Sequence, residues 1–240
     1  MIQSEVYYDH IFKSINYREN QARMFAKAMY YLLFSNMAGD FLEFGTFKGD
    51  SLISAFKIHE RLINEWNIEL KKYISNSYLN TMDFYGFDFF KGIPELKEKD
   101  RSFCLQDDFK KGNYVCSQEE YNNNLKKNNI PMKKVITIPG FFSETLTDKL
   151  KEEILLKKAA LIHIDCDIYS STKTALNWVT DYVQYGTLIM FDDWFCNRAN
   201  PQLGEQKAFT EWRNENNIKS IDYGNYCIFG KSFILHPKKE

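Results

Sequence analysis

The chain has 240 residues, of which 44% are hydrophobic and 16% aromatic, with a formal net charge of −1 and five cysteines. This content is enough to bury a sizeable core and excludes a disordered chain, while near-neutral charge gives no global field toward nucleic acid or an anionic membrane. The cysteines (Cys104, Cys116, Cys166, Cys196, Cys227) are scattered and never in Cys-x-x-Cys spacing, which argues against a disulfide framework or structural zinc site and for reduced thiols.

The N-terminal residues show no basic region followed by an apolar core, so no signal peptide is expected. No apolar run approaches the ~20 residues that span a bilayer. The expectation is a soluble, cytoplasmic protein. Residues 17–37 carry Ala22, Phe25, Ala26, Met29, Leu32 and Leu33 at helical spacing. Phe41–Phe44 then reads as a first strand, and Ser51–Trp66 as a helix. A polar loop, Ser75–Thr81, precedes a second strand, Phe84–Asp88. Residues 95–116 look irregular and charged. Ser117–Asn128 suits a short surface helix in which Ser117 and Glu120 stand in a capping-box relation.

Lys134–Pro139 is a predicted third strand. Ala159–Asp165 is a nearly continuous apolar fourth, of the kind buried on both faces. A helix is expected over Ser171–Tyr185, a fifth strand over Gly186–Phe191 and another helix over residues 204–216. Ile218–Tyr223 and Tyr226–Phe229 flank Gly224-Asn225 as a hairpin. Strands alternating with helices describe an α/β fold: a doubly wound, mostly parallel sheet closed by an antiparallel hairpin. With no repeat or linker, residues 1–240 are expected to form a single domain, with residues 1–38 as a helical extension or lid. Tyr7, Tyr8, Ile11, Phe12 and Ile15 give that extension an apolar side, which suggests a homodimer or larger homo-oligomer.

Function is concentrated at strand ends. After Phe41–Phe44 comes the turn Gly45-Thr-Phe-Lys-Gly49 and then Ser51, opening a helix. In an open α/β sheet, ligands lie beyond the carboxyl ends of the strands. The pattern Glu43-x-Gly-x-x-x-Gly49 differs from the Gly-x-Gly-x-x-Gly of dinucleotide binders, which disfavours a nicotinamide-dependent oxidoreductase. A carboxylate at the strand end suits a ligand with cationic groups, such as S-adenosylmethionine (SAM). The plain alternative is an ordinary turn.

His163-Ile-Asp-Cys-Asp-Ile-Tyr169 ends the fourth strand and Phe191-Asp-Asp-Trp194 the fifth. Adjacent parallel strands would bring Asp165, Asp192 and Asp193 together. Crowded carboxylates repel, and one must take a proton unless a cation is present. An oxygen-only set points to a hard divalent ion, most simply Mg²⁺. The plain alternative is that each acid caps the next helix. Asp167 is expected to hold the loop beyond the strand. His163 is ordinarily a core residue, with ligand or base as its alternative. Tyr169, Trp194 and Phe142 would either wall a pocket or pack the core, and Lys48 would be solvated.

With Glu43-Phe-Gly-x-x-x-Gly49, Gly86-Phe-Asp-x-Phe-x-Gly-x-Pro94, Gly140-x-Phe-x-x-Thr-Leu146, Asp165-x-Asp-x-Tyr-x-Ser-Thr172 and Asp192-Asp193 in that order, the chain resembles the macrocin O-methyltransferase (TylF-type) family. That resemblance covers roughly residues 40–215. It implies a class I SAM-dependent methyltransferase acting on a sugar hydroxyl of a natural product, a small-molecule substrate. It also implies that Glu43, Gly45 and Gly49, with Thr46 and Ser51 of the same turn, hold the methionine part of SAM. Asp88 would bind the ribose, and Phe142 and Ser143 would sit near the adenine. Asp165, Asp192 and Asp193 would bind Mg²⁺, with Asp165 (or else His163) accepting the substrate proton. Cys166 stands where the family usually has glycine, Trp194 where Tyr is common, and the first 40 residues match poorly. Two rivals remain: a metal-dependent glycosyltransferase using Asp165 and Asp167 as an Asp-x-Asp pair, and a non-catalytic SAM-binding protein.

Overall fold

The computed structural model describes residues 16–64, 78–100 and 110–238. The expected contribution of Tyr7 to Ile15 to an oligomer therefore lies outside the described residues, as does Cys104. Helix α1 (Tyr17–Phe34) leads into strand β1 (Asp40–Phe44) and helix α2 (Asp50–Asn64). Strand β2 (Phe84–Asp88), helix α3 (Gln118–Lys127) and strand β3 (Val135–Pro139) follow. The short helices α4 (Phe142–Thr145) and α5 (Asp148–Glu153) precede strand β4 (Ala159–Ile164) and helix α6 (Tyr169–Val179). The chain closes with strand β5 (Val183–Phe191), helix α7 (Gly204–Glu215) and strands β6 (Ile218–Tyr226) and β7 (Gly230–Pro237).

The sheet has seven strands in the order β3-β2-β1-β4-β5-β7-β6. The first five are parallel, and β7 runs antiparallel to both β5 and β6. This is the expected doubly wound architecture. Side chains alternate across it. Phe41, Leu161 and Met190 pack under α1 and α2 with Phe25, Leu32 and Leu52, while Leu42, Phe44, Ile162, Ile164 and Ile189 face Leu176 and Trp178 of α6 and Trp212 of α7. No helix among the described residues is long and apolar enough to cross a membrane. Cys116, Cys166, Cys196 and Cys227 are free thiols.

Local chemistry explains most boundaries. Asn16 caps α1 by accepting from Glu19 N at 3.4 Å. The helix ends three residues earlier than its apolar spacing predicts, because Asn36 adopts a left-handed conformation (φ 49°) and Met37 N turns back to Leu32 O. The capping box of α3 is present, with Glu120 N on Ser117 Oγ and Ser117 N on the Glu120 carboxylate.

Two expectations are corrected. The helix predicted through Tyr185 stops at Val179, and after a tight turn at Thr180–Tyr182 the chain enters β5 at Val183. Pairing of Val183 with Ala159 on β4 overrides the local helical pattern. The hairpin turn lies at 227–229 rather than Gly224-Asn225. Gly224 (φ 137°) instead marks the register shift after Asp222 within β6, where an extra residue is accommodated without ending the strand.

Candidate active site

Strand pairing brings the site together. Gly45 N donates to Phe87 O, Asp165 N to Phe44 O and Asp192 N to Ile164 O, so the parallel ladders run on past the last strand residues. Gly45, Asp165 and Asp192 thereby come level at the carboxyl edge. They line a cavity of about 430 Å³. Its β1–β2 side includes Gly45, Phe47, Asp88, Phe89, Phe141 and Phe142, and its β4–β5 side Asp165, Cys166, Asp167, Asp192, Asp193 and Cys196. Tyr17 and Arg18 of α1 and Phe229 of the β6–β7 turn are also part of the wall.

On the β1–β2 side, Asp88 organises the glycine turn. Its Oδ2 accepts from Thr46 N at 2.7 Å and Phe47 N at 2.8 Å, and its Oδ1 from Phe90 N at 2.6 Å. Such a bracket holds Phe47 in its left-handed conformation (φ 46°). Gly45 must be glycine, since a Cβ there would lie 1.8 Å from Asp165 O. At Gly49 a Cβ would meet the Tyr121 ring at 2.8 Å, so that glycine admits α3 against the turn. Of the residues expected to touch SAM, Gly45, Asp88 and Phe142 line the cavity. Glu43, Thr46, Gly49, Ser51 and Ser143 are not among its lining residues. They stand behind or beside the wall.

The β4–β5 side is crowded with acid. Oxygens of Asp165, Asp167 and Asp193 lie within 4.8 Å of one another, and so do ligand atoms of His163, Asp165 and Asp192. The trio Asp165, Asp192 and Asp193 is thus divided between two clusters that share Asp165. Asp192 and Asp193 are consecutive and leave an extended strand in different directions. Asp192 turns toward α1, where Gln21 Nε2 donates to its Oδ1 at 3.2 Å. Asp193 turns toward the following loop, where Cys196 Sγ donates to its Oδ1 at 3.3 Å. Asp167, with φ 63°, folds back to join Asp165.

Burial, then mutual repulsion, sets the protonation of these groups. Burial pushes Asp165 up to about 7, with Asp193 and Glu43 adding to the rise and His163 opposing it. Asp167 and Asp192 are held well above the usual carboxylate range by burial and then by Asp193. Asp193 rises by burial, against hydrogen bonds from Cys196 and Asp167. Left ionised together these carboxylates repel one another, and three oxygens around one point suit a hard divalent ion.

Helix capping does not account for the acids. The first residues of α6 are capped from a distance, Ser170 N donating to Asp100 Oδ1 at 2.7 Å and Ser170 Oγ to Oδ2 at 2.9 Å. His163 and Glu43 are partners in the parallel register, and both are fully buried. His163 Nδ1 lies 2.7 Å from Glu43 Oε1. Burial lowers the His163 pKa, but the Glu43 hydrogen bond and the charges of Glu43, Asp165 and Asp193 outweigh it, and the net direction is upward. Tyr169 donates to Glu211, and Trp194 packs on Phe191, Phe209 and Phe233. Of the three suggested pocket aromatics, only Phe142 lines the cavity. Lys48 is exposed.

Two participants escaped the sequence. Gln21 sits on the apolar stripe of α1 with Met24, Phe25 and Ala28, where a buried polar residue signals a partner. Glu205, in the first turn of α7, is buried and accepts from Asp193 N at 3.0 Å. Burial, then Asp193, Asp192 and Asp165, raise its pKa well above normal.

A family model described as Macrocin-O-methyltransferase (TylF) matches residues 19–225. The chain is similar in structure to the O-methyltransferase NovP, with TM-score 0.67 and 18% identity over 91% of this chain and 80% of that one. It is also similar to CalS11, a calicheamicin methyltransferase, with TM-score 0.64 and 19% identity over 90% of this chain and 77% of that one. An O-methyltransferase from Bacillus cereus in complex with SAH aligns with TM-score 0.50 and 14% identity over 90% of this chain and 81% of that one. No curated protein sequence matches significantly.

Proposed function

Because the chain belongs to the macrocin O-methyltransferase (TylF) family and is a SAM-dependent O-methyltransferase of small molecules, we propose that it methylates a hydroxyl of a sugar or similar vicinal diol with the help of Mg²⁺, in natural-product or glycan biosynthesis. The observation that carries this is a single cavity with an organised glycine turn on one side and clustered, cation-demanding carboxylates on the other. Family membership also removes the glycosyltransferase alternative.

When bound, SAM supplies an electrophilic methyl group and Mg²⁺ supplies Lewis acidity toward a hydroxyl that is otherwise almost fully protonated. Gly45, Asp88 and Phe142 contact the donor, and Glu43, Thr46, Gly49, Ser51 and Ser143 support the surfaces it rests on. Of the acids expected to hold Mg²⁺, Asp165 and Asp193 would do so together with Asp167, whose oxygens cluster with theirs, while Asp192 would approach the ion from the second cluster that shares Asp165. Asp165 Oδ accepts the hydroxyl proton, since its carboxylate lies in both acid clusters and opens to the cavity. His163 is enclosed and turned to Glu43, so Asp165 is the better base. Phe47, Phe141 and Phe142 keep water from the methyl path. Bringing donor and hydroxyl into near-attack geometry supplies roughly 7–11 kcal/mol of barrier reduction. Tyr17 and Arg18 of α1, at the cavity wall, serve to cover the acceptor.

The test is a transfer assay with SAM, Mg²⁺ and a panel of deoxysugar glycosides, with mass spectrometry of the acceptor. One added methyl group on a diol-bearing acceptor is expected, and none on the matched monodeoxy analogue. Equal methylation of both would end the vicinal-diol assignment.

A further inference from the structure

We propose that His163 Nε2, with Asp165 and Asp192, forms a nitrogen-and-oxygen metal site beside the acidic wall of the cavity, and that this site prefers a later first-row ion such as Co²⁺ or Zn²⁺ to Mg²⁺. The inference rests on the metal reading above and refines which atoms hold the ion. It begins with an orphan. His163 Nε2 is fully buried and makes no hydrogen bond. The group nearest to it in charge is Asp192 Oδ1 at 3.9 Å, too far for a hydrogen bond.

The other ring nitrogen explains why Nε2 is available. Glu43 Oε1 accepts Nδ1–H at 2.7 Å, so Nδ1 keeps its proton and a metal ion at Nε2 would take the place of the second ring proton. Carboxylate, histidine, metal is the recurring order by which proteins orient a histidine ligand and raise its basicity. Both members are placed by the sheet, since Glu43 and His163 are register partners on β1 and β4. The Phe25 ring, edge-on to the imidazole at 5.3 Å, limits its rotation.

The remaining ligands are already in position. Donor atoms of His163, Asp165 and Asp192 all lie within 4.8 Å of one another. With metal–ligand bonds of about 2.0–2.2 Å, two ligands on one ion stand roughly 3–4 Å apart, so a small inward adjustment completes the set. Gln21 Nε2 holds the Asp192 carboxylate from the α1 side, as outer hydrogen bonds do for ligating carboxylates. The Asp165–Asp167–Asp193 cluster offers oxygen alone and suits Mg²⁺, whereas imidazole nitrogen favours later divalent ions. Asp165 belongs to both clusters, so one ion must choose.

The probe is Mn²⁺ on the full chain, read by electron spin-echo envelope modulation, with and without ¹⁵N-labelled histidine. Directly bound ¹⁴N should modulate the echo in wild type, change on labelling and vanish in His163→Gln. Calorimetry should show Co²⁺ or Zn²⁺ binding at least about tenfold tighter than Mg²⁺, with the preference lost in His163→Gln. Glu43→Gln should weaken Mn²⁺ binding about 10–100-fold. Bound Mn²⁺ without nitrogen modulation overturns this inference and leaves the oxygen-ligated reading standing. Absence of Mn²⁺ binding in a protein that binds SAH overturns both. If His163→Gln does not fold, the wild-type echo, repeated in His10→Gln, His59→Gln and His236→Gln, still decides: modulation that disappears in any of these assigns the nitrogen elsewhere.

Discussion

Asp88, on the β1–β2 side of the cavity, accepts three backbone N–H groups and thereby holds the glycine turn in shape. Asp165, Asp167 and Asp192, on the β4–β5 side, have their pKa values raised by burial, and buried atoms Nε2 of His163 and Oε1 of Glu205 lack partners. Both sides are built from the same element, an aspartate at or just past the end of a parallel strand. Where backbone N–H groups converge, the carboxylate is satisfied by the protein and the surface is ready for a ligand. Where other carboxylates converge, they repel one another unless protonated, and the proposed cation site rests on that contrast.

The largest effects should separate the two sides. Asp165→Asn is expected to lower turnover at least ~10²-fold, within the range for losing a positioned acid–base group, while SAH affinity by calorimetry stays unchanged. EDTA should likewise stop turnover, a divalent ion should restore it, and SAM binding should persist throughout. A parallel loss of SAH affinity in either experiment would merge the two sides.

Next in size is Asp88→Ala. Unpairing the turn amides should weaken SAH binding by about 1–3 kcal/mol, and hydrogen exchange should accelerate at Thr46 and Phe47. Faster exchange without any change in affinity would confine Asp88 to architecture.

A stability experiment sharpens the same contrast. Asp165 titrates near 7 in the folded chain against an ordinary 3.8, so the folded state binds the extra proton in that interval. Stability of the metal-free protein should therefore fall as pH rises from about 4 to about 7, by roughly a few kcal/mol at most. His163, raised for its own reasons, acts with the same sign, its contribution disappearing as pH climbs through its folded value. Saturating divalent ion should flatten the slope in thermal melts. A slope of the same size with the ion present would show that the carboxylates do not hold it.

The smallest expected effect is at Gln21→Ala, which removes one hydrogen bond to Asp192. It should cost about 0.5–1.5 kcal/mol, seen as weaker divalent-ion binding with SAH affinity unchanged. No change in ion affinity would detach α1 from the acid cluster.

Much of this was legible before any coordinates. The alternation of apolar runs with 3.6-residue periodicity gave β1 to β5 and the long helices, because backbone period is a local property. The Ser117–Glu120 box was readable for the same reason. The end of α6 was not. Val183, Gln184 and Tyr185 suit a helix by themselves, and the pairing of Val183 with Ala159 on β4 decides otherwise. Nor was the hairpin turn, where Gly224 relieves a bulge inside a strand.

Strand ends with acids, a glycine turn and a family pattern followed from the order of residues, since each depends on neighbours along the chain. Which acid faces which depended on the sheet. Adjacent Asp192 and Asp193 part company as they leave β5, Asp167 returns to meet Asp165, and Glu43 meets His163 across 120 residues because two parallel strands share a register. Gln21 and Glu205 arrive from helices on opposite faces. A sequence specifies the groups and their local backbone, but distance, desolvation and repulsion exist only once separate segments are packed together, and here those three decide which carboxylates have raised pKa values.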